Sequence, residues 1–210
     1  MLKLKKLAIT GGISSGKSQA CKFFTELGAY VVVADEIVHQ LLTPDTELGK
    51  KVIELLGTGI VVNGKIDRTR VAKKVFLNPK LLRSLEQILH PKVYEEIENQ
   101  YREVSQRDNP PPLFIAEIPL LFETGGEQYF DQTITITSDN EKCWERYQRA
   151  TGHEREDFSR RRARMLRQNE KAKRADYVIQ NNETAEELRL EVNKLFDILC
   201  GVKVKKQKGN

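Results

Sequence analysis

The feature that most restricts the fold is an octet near the N-terminus, GGISSGKS at residues 11–18, which directly follows the apolar run at residues 7–9. It fits the pattern G-x-x-x-x-G-K-[ST], in which glycines allow backbone N–H groups to surround an anion. A helix predicted at residues 17–27 adds the positive end of its dipole. The octet and its strand–loop–helix setting therefore predict a loop that binds the phosphates of a nucleotide.

Side chains within this loop predict ATP and Mg²⁺ as cofactors. Lys17 supplies a point charge for the β- and γ-phosphates, and the Ser18 hydroxyl is a ligand for Mg²⁺. The sequence lacks a guanine-reading N-K-x-D motif near its later strands, which favours ATP. The residues expected to bind ATP are Gly12, Ser14, Ser15, Gly16, Lys17, Ser18 and Gln19.

Apolar runs separated by helical stretches predict an α/β fold. An apolar stripe over residues 185–199 indicates an amphipathic closing helix. The strands are expected at residues 7–9, 30–33, 113–118, 133–137 and 177–179.

Residues 44–110 are too long for a simple crossover between strands, so we interpret them as an inserted helical part that binds the substrate. Within it, an Asn-Gly pair indicates a small hairpin at residues 60–66, and the proline at position 91 indicates a helix break. The proline-rich residues 108–112 are expected to form a stiff, exposed connector.

Composition suits a globular protein with polyanionic ligands. The 210 residues fit one α/β domain with insertions, and the net charge of +5 fits nucleotides or nucleic acid. No apolar run reaches the length of a membrane span, and the N-terminus leads directly into the first strand, so we expect neither a membrane partner nor a signal peptide. The three cysteines form no disulfide or metal pattern, which favours a cytoplasmic location.

Residues 141–174 are the most charged stretch and are rich in arginine. Because a guanidinium group binds phosphate oxygens through two parallel hydrogen bonds, we interpret this stretch as a lid that closes over the triphosphate. Most of its arginines are expected to lie on a solvated helix surface. A nucleic-acid groove is the third alternative, ranked lowest because aromatic residues are sparse and no motif of a nucleic-acid-binding module occurs.

Three ionisable residues have two interpretations each from the sequence alone. Asp35 follows the second strand, where it suits equally a helix N-cap and a catalytic carboxylate at the ligand-binding edge of the sheet. For His90, a packing or capping role beside the helix break is favoured over a functional one. Glu117 lies near the end of the third strand, where a water-mediated contact with Mg²⁺ is an alternative to a structural role.

Taken in order along the chain, these residues resemble the dephospho-coenzyme A kinase family. The match runs from about residue 7 to about residue 199, and its ordered motifs are more specific than the phosphate loop alone. The matching segments are TGGI and SGKS at residues 10–18, Ala34-Asp35, NGKIDR at residues 63–68, Val75-Phe76, Leu89-His90-Pro91, IPLLFE at residues 118–123, Arg146, and ADYVI with Asn181 at residues 175–181.

This resemblance implies a P-loop kinase fold: a five-stranded parallel sheet flanked by helices, with an inserted helical substrate-binding part and an arginine-rich lid. It implies a single domain over residues 1–203, followed by a flexible basic tail at residues 204–210. The parts are expected at about 1–43, 111–140 and 175–203 for the core, about 44–110 for the insertion, and about 141–174 for the lid.

The resemblance also implies transfer of the ATP γ-phosphate to the ribose 3′-hydroxyl of dephospho-CoA, giving CoA and ADP as the last step of coenzyme A biosynthesis. Asp35 matches the family's presumed general base and Arg146 its lid arginine, so these two and Lys17 are the expected catalytic residues. The residues expected to bind the substrate are Asp35, Asp67, Arg68, His90, Leu121 and Glu123.

The chain departs from the family pattern at several positions. Ser14 replaces a third loop glycine, and we expect ATP binding to survive because serine fits if that position keeps a negative φ. Val33 replaces an acid two residues before Asp35, which leaves Asp35 as the sole acid there. The other departures are Gln19 for threonine or alanine, Ala150 for a second lid arginine, and Met165 for a glutamine.

Two other functions stay open at this point. One is a related P-loop kinase acting on a nucleoside, nucleotide or small alcohol, which acceptor preference would reveal. The other is a nucleotide-switched module that binds RNA or protein, for which RNA binding would depend steeply on salt. The preferred interpretation has dephospho-CoA as its small-molecule partner and no nucleic-acid partner, and the sequence does not indicate an oligomeric state.

Overall fold

The computed structural model describes residues 4–76 and 78–202, and within them strands alternate with helices. The strands are β1 (Lys5–Gly11), β2 (Tyr30–Val33), β3 (Val61–Val62), β4 (Lys65–Ile66), β5 (Leu113–Glu117), β6 (Gln132–Thr137) and β7 (Tyr177–Gln180). The helices are α1 (Lys17–Glu26), α2 (Ala34–Leu41), α3 (Glu47–Leu56), α4 (Arg68–Phe76), α5 (Pro79–Ser105), α6 (Asn140–Thr151), α7 (Arg155–Arg162), α8 (Gln168–Arg174) and α9 (Ala185–Leu199). Short 3₁₀ turns lie at Thr58–Ile60 and Gly126–Tyr129.

The larger sheet has five strands in the order β2-β5-β1-β6-β7. The central strand β1 pairs in parallel with β5 and β6, and β6 pairs in parallel with β7. This arrangement confirms the predicted α/β fold. Because β1 is central, the loop that follows it lies at the carboxyl edge of the sheet, where open α/β sheets bind their ligands.

The chain divides into two compact units. The sheet unit comprises the chain up to Val32 and from Val104 onward, and the helical unit comprises Val33–Glu103. The predicted basic tail at residues 204–210 lies outside the described residues. The sheet unit buries a core between α1, α9 and the strands that includes Leu7, Ile9, Phe24, Leu113, Ile134 and Val192. The helical unit has its own core, which includes Leu42, Val52, Leu56, Ile60, Ile66 and Leu85.

Local signals place several element boundaries where the sequence predicts them. The Thr184 hydroxyl accepts a hydrogen bond from the backbone N–H of Glu187 at 3.2 Å, and α9 starts there. The buried stripe of α9 is Leu188, Val192, Leu195 and Leu199, as expected for an amphipathic closing helix. The predicted hairpin is present as β3 and β4, joined by Asn63 and Gly64 with φ values of 49° and 72°.

The predicted helix break beside His90 is wrong, because α5 runs through Pro91 for 27 residues. A proline inside a helix removes one hydrogen bond and crowds the preceding turn. The buried side chains of α5 nevertheless keep one helical spacing on both sides of the proline, so their burial outweighs that local loss. These side chains are Leu85, Val93, Ile97 and Tyr101. Neither α5 nor any other helix in the described ranges combines the length and apolarity needed to cross a bilayer.

Candidate active site

The predicted phosphate loop joins β1 to α1, and its shape depends on two glycines. Gly16 is the N-cap of α1 with a φ of 103°, a value that residues with a Cβ rarely adopt. A Cβ at Gly16 would lie 2.0 Å from Asn181 Nδ2, and one at Gly11 would lie 2.2 Å from the carbonyl oxygen of Ile136. The loop backbone is therefore in close contact with its neighbours, and α1 begins directly at the loop, so the end of the helix that attracts anions faces it.

Lys17 begins α1, and its side chain is folded back onto the loop. Its ammonium group donates to the carbonyl of Gly12 at 2.9 Å and lies 3.5 Å from that of Gly11. In the same loop, Ser15 Oγ is buried and finds no hydrogen-bond partner among the described residues. A buried ammonium and an unpartnered hydroxyl in one loop suit an anionic ligand, because buried polar groups are almost always paired.

Ser18 contacts the acid at the end of β5. Its hydroxyl donates to Glu117 Oε1 at 3.1 Å, and Glu117 is 5% exposed. Burial, followed by the charge of Glu117, raises the pKa of the nearby Cys21 thiol well above its usual value. The structure thus brings the predicted metal ligand beside a carboxylate, and both are oxygen donors of the kind that Mg²⁺ prefers.

Asn181, just after β7, supports the phosphate loop and also anchors Arg146. Its side-chain amide donates to the carbonyl of Ser15 at 2.8 Å, and its own carbonyl accepts from Ser138 Oγ at 2.7 Å. The Arg146 guanidinium donates to that same carbonyl at 2.9 Å and to Ser138 Oγ at 3.1 Å. The predicted lid arginine is therefore held by Asn181, which also supports the loop, and by Ser138.

Ser14 departs from the expectation of a negative φ. Its φ is 52°, in the left-handed region, so the condition under which serine fits is not met, and the survival of ATP binding stays a prediction. The loop turns tightly here, with the backbone N–H of Ser15 bonded to the carbonyl of Gly12 at 3.3 Å, and that turn sets the dihedral angle. A non-glycine residue pays roughly 1–2 kcal/mol for this conformation. Gln19, which also departs from the family pattern, is exposed in the first turn of α1, where backbone N–H groups have no acceptor within the helix itself.

The segment after β5 carries the predicted substrate residues Leu121 and Glu123. Leu121 is fully buried. Glu123 Oε1 accepts from the backbone N–H of Leu166 at 2.8 Å and pairs with Lys171 Nζ at 2.9 Å. Contact of either residue with a substrate stays a prediction.

In the helical unit, Asp35 is the second residue of α2, which begins directly after β2. The N-cap of α2 is Val33, and it makes no side-chain cap bond. The interpretation of Asp35 as an N-cap is therefore wrong: the strand runs into the helix without a linker, so the cap falls two residues earlier. Asp35 is left as an exposed carboxylate in the first helical turn.

The other predicted substrate residues of the helical unit lie in or beside helices. Asp67 Oδ1 accepts from two backbone N–H groups of the next turn at 2.8 and 3.1 Å, so it caps α4, and the exposed Arg68 follows it. His90 is half-buried in α5, and this burial lowers the pKa of its imidazole although the charge of Glu86 opposes the shift. The imidazole is therefore neutral near pH 7, where it both donates and accepts a hydrogen bond.

The predicted lid, α6 to α8, borders the phosphate loop at a cleft of about 470 Å³. Ile13 from the loop packs against a cluster of Cys143, Tyr147 and Phe158 at this border. Met165 lines the cleft, whereas Ala150 is exposed on α6. The prediction that most lid arginines are solvated is confirmed by the exposed residues Arg149, Arg155, Arg160, Arg161, Arg162, Arg164 and Arg167.

Several residues that shape the site were missed by sequence reasoning. In the sequence, Asn181 is distinguished only as part of a segment that matches the family. Its bond to the loop depends on a contact across 166 positions of sequence. Ser138, Gln168 and Lys171 lie in or next to the charged stretch, where no periodic signal separates a buried polar residue from a solvated one. Only the spacing of the ADYVI segment and Asn181 gave a usable signal.

Comparison with known proteins agrees with this geometry. The family model described as dephospho-CoA kinase matches residues 6–187. A dephospho-CoA kinase of Protochlamydia amoebophila is 48% identical over 199 residues, which cover 95% of this chain and 98% of that protein. One of Chlamydia pneumoniae is 47% identical over 201 residues, covering 96% and 99%.

A solved structure leads to the same family. The dephospho-CoA kinase from Campylobacter jejuni is similar with a TM-score of 0.62 at 25% sequence identity, covering 93% of this chain and 97% of that one. The chain therefore belongs to the dephospho-CoA kinase family, a family of ATP-dependent phosphotransferases.

Proposed function

We propose that this protein transfers the γ-phosphoryl group of ATP to the ribose 3′-hydroxyl of dephospho-CoA, giving CoA and ADP as the last step of coenzyme A biosynthesis. The observation that carries the proposal is the phosphate loop, in which a backbone shaped by Gly16, the buried Lys17 ammonium and the start of α1 converge. Family membership supports dephospho-CoA as the acceptor.

The loop residues bind and orient the triphosphate. Lys17 exchanges its bond to the Gly12 carbonyl for a phosphate oxygen, and the N–H groups at the start of α1 donate to the same anion. The unpartnered Ser15 hydroxyl gains an acceptor in the process. Since phosphoryl transfer demands positioning and charge stabilisation rather than covalent chemistry, these contacts supply most of what the chain must do for the nucleotide.

Ser18 and Glu117 would hold Mg²⁺. Their contact at 3.1 Å places a hydroxyl and a carboxylate oxygen together, and this donor set fits a hard cation that keeps several water or phosphate ligands. When bound, Mg²⁺ supplies neutralisation of the charge on the transferring group. Ser18 would be its direct ligand, with Glu117 receiving a hydrogen bond from the hydroxyl or from a bound water.

Asp35 is the general base in this proposal. Its carboxylate is exposed at the carboxyl end of β2 and is not used as a helix cap, so it is available to orient the acceptor hydroxyl and take its proton. Val33 stands two residues earlier, so no second acid shares that work.

Arg146 would stabilise the transferring phosphoryl group, because its guanidinium is anchored to Asn181, which supports the loop, and to Ser138.

The remaining predicted contacts are with the acceptor. Asp67, Arg68 and the neutral His90 would bind polar groups of dephospho-CoA, and Leu121 would shape the wall of the site.

We also propose a cytoplasmic location, with dephospho-CoA as the small-molecule partner and no nucleic-acid partner. The cysteines at positions 21, 143 and 200 are all free thiols, which suits a reducing compartment.

An acceptor panel tests the proposed function. The purified chain is supplied with ATP and Mg²⁺ and with dephospho-CoA, a nucleoside monophosphate, glycerol or no acceptor. We expect ADP release to rise only with dephospho-CoA, and mass spectrometry to identify CoA as the product. A Lys17→Ala variant prepared in the same way controls for contaminating kinases.

Two outcomes would contradict the proposal. Preferential ADP release with the nucleoside monophosphate or glycerol would indicate a kinase for another acceptor. A slow hydrolysis of ATP whose rate no acceptor changes, together with an affinity for RNA that falls steeply as the salt concentration rises, would indicate a nucleotide-switched binding module.

A further inference from the structure

A buried ion pair joins the segment after β5 to α8. Lys171 Nζ lies 2.9 Å from Glu123 Oε1, and the two side chains are 0% and 14% exposed. The same ammonium donates to the carbonyl of Pro119 at 2.6 Å and lies 3.4 Å from Thr10 Oγ1. An ammonium has three donors, and these three acceptors use them. Lys171 therefore has no donor left for a phosphate.

One carboxylate oxygen of Glu123 is occupied by two donors of the protein. Its Oε1 accepts from both Lys171 Nζ and the backbone N–H of Leu166. Its Oε2 is closed off from solvent and has no hydrogen-bond partner in the described part of the chain. Because Oε1 already binds the Lys171 ammonium and the Leu166 amide, the geometry gives Glu123 a role in holding these two residues.

The Glu123 side chain contacts one wall of the cleft that borders the phosphate loop, residues 165–168, and the Lys171 ammonium holds that side chain. Glu123 holds this wall through the amide of Leu166, and Gln168 holds its other end through two bonds to the backbone of Ser138, each at 2.9 Å. The Gln168 side chain lies so close to Gly12 that a Cβ there would be 2.8 Å from Gln168 Cδ. The wall thus rests directly on the phosphate loop.

We propose that Glu123 and Lys171 are positioning residues that hold residues 165–168 against the phosphate loop, and that Glu123 does not contact the acceptor. The inference rests on the proposed function for the identity of nucleotide and acceptor. A buried charge pair favours a single geometry, because either partner is unpaired in a poorly solvating environment if it moves away. The pair therefore limits the positions that the wall can take beside the phosphate loop.

The test uses Glu123→Gln and Lys171→Met in the full chain. The glutamine keeps the shape of Glu123 and an oxygen for the Leu166 amide but removes the charge. We expect each variant to raise the calorimetric Kd for ATP about tenfold, because the wall that borders the phosphate loop loses its anchor. The KM for dephospho-CoA should stay within about twofold. Hydrogen exchange in peptides that contain Leu166 should become faster.

Glu127→Gln is the matched control. It removes the ion pair of Glu127 with Arg174, which joins the same two segments but does not touch residues 165–168. We expect unchanged ATP affinity and unchanged exchange at Leu166. A raised KM for dephospho-CoA with unchanged ATP affinity in Glu123→Gln would overturn the proposal in favour of an acceptor contact. A lowered Tm with both constants unchanged would overturn it in favour of a purely structural pair.

The double variant Glu123→Gln/Lys171→Met covers the case in which a single variant fails to fold, because it leaves no unpaired buried charge. It should fold and still bind ATP about tenfold more weakly, and wild-type affinity would overturn the proposal. Calorimetry with ATP needs no acceptor. The positioning role is therefore tested even when the wild-type chain fails to phosphorylate dephospho-CoA, which is the separate failure of the proposed function.

Discussion

Two regions are held by different kinds of contact: the phosphate loop of the sheet unit, and the residues of the helical unit that are proposed to bind the acceptor, which are Asp35, Asp67, Arg68 and His90. The loop is fixed by residues far away in sequence, such as Asn181 on Ser15 and Glu117 on Ser18. The acceptor residues are held by the helices that carry them, as when Asp67 caps the helix that follows it.

The difference lies in how each region is held. The phosphate loop is close-packed and hydrogen-bonded to distant segments, so its geometry depends on the folded sheet unit. The residues proposed to bind the acceptor include an exposed carboxylate and an exposed guanidinium on or beside their own helices. Substitutions at three residues test this difference.

The largest effect is expected at Asp35. Replacing Asp35 with asparagine keeps the shape but removes the proposed general base, so turnover should fall roughly 10²–10⁴-fold while ATP affinity stays nearly unchanged. Steady-state kinetics and calorimetry check this. Glu36→Gln, which alters the neighbouring exposed acid in the same helical turn, is the matched control and should keep normal turnover. Near-normal turnover of Asp35→Asn would remove Asp35 from the mechanism.

A smaller effect is expected at Asp67, which caps α4 and is also predicted to bind dephospho-CoA. Asp67→Ala should lower the free energy of unfolding by about 1 kcal/mol through loss of the cap, and Asp67→Asn should restore most of it. Urea denaturation measures this. Both variants should raise the KM for dephospho-CoA. Asn78→Ala, which removes the cap of α5 in the same unit, should lose similar stability without that rise. An unchanged KM in both Asp67 variants would mean that this residue caps α4 and does not bind dephospho-CoA.

The smallest effect is expected at Ser14, within the preset loop. Ser14→Gly relieves a left-handed conformation worth roughly 1–2 kcal/mol, and the greater freedom of glycine in the unfolded chain cancels about 0.4–1 kcal/mol of that. The net gain in the free energy of unfolding should lie between about 0 and about 1.6 kcal/mol, with kinetics unchanged. Ser14→Ala should give no gain. Loss of stability in Ser14→Gly would mean that the serine side chain contributes more than its backbone strain costs.

The same contrast explains how much could be predicted from the sequence. The sheet, the phosphate loop, the hairpin and α9 follow from short-range patterns such as β-branched runs, an Asn-Gly turn and helical spacing. The break expected at Pro91 was wrong because burial along α5 outweighs one lost hydrogen bond. The dihedral angle of Ser14 and the burial of Lys171 were out of reach, since each depends on contacts that no local pattern encodes.

The bond between Asn181 and Ser15 has a consequence for how the protein matures. The phosphate loop is synthesised well before Asn181, which lies 166 positions away from Ser15 along the chain. A nascent polypeptide that still lacks β7 and Asn181 therefore contains the whole phosphate-binding motif without this support for it.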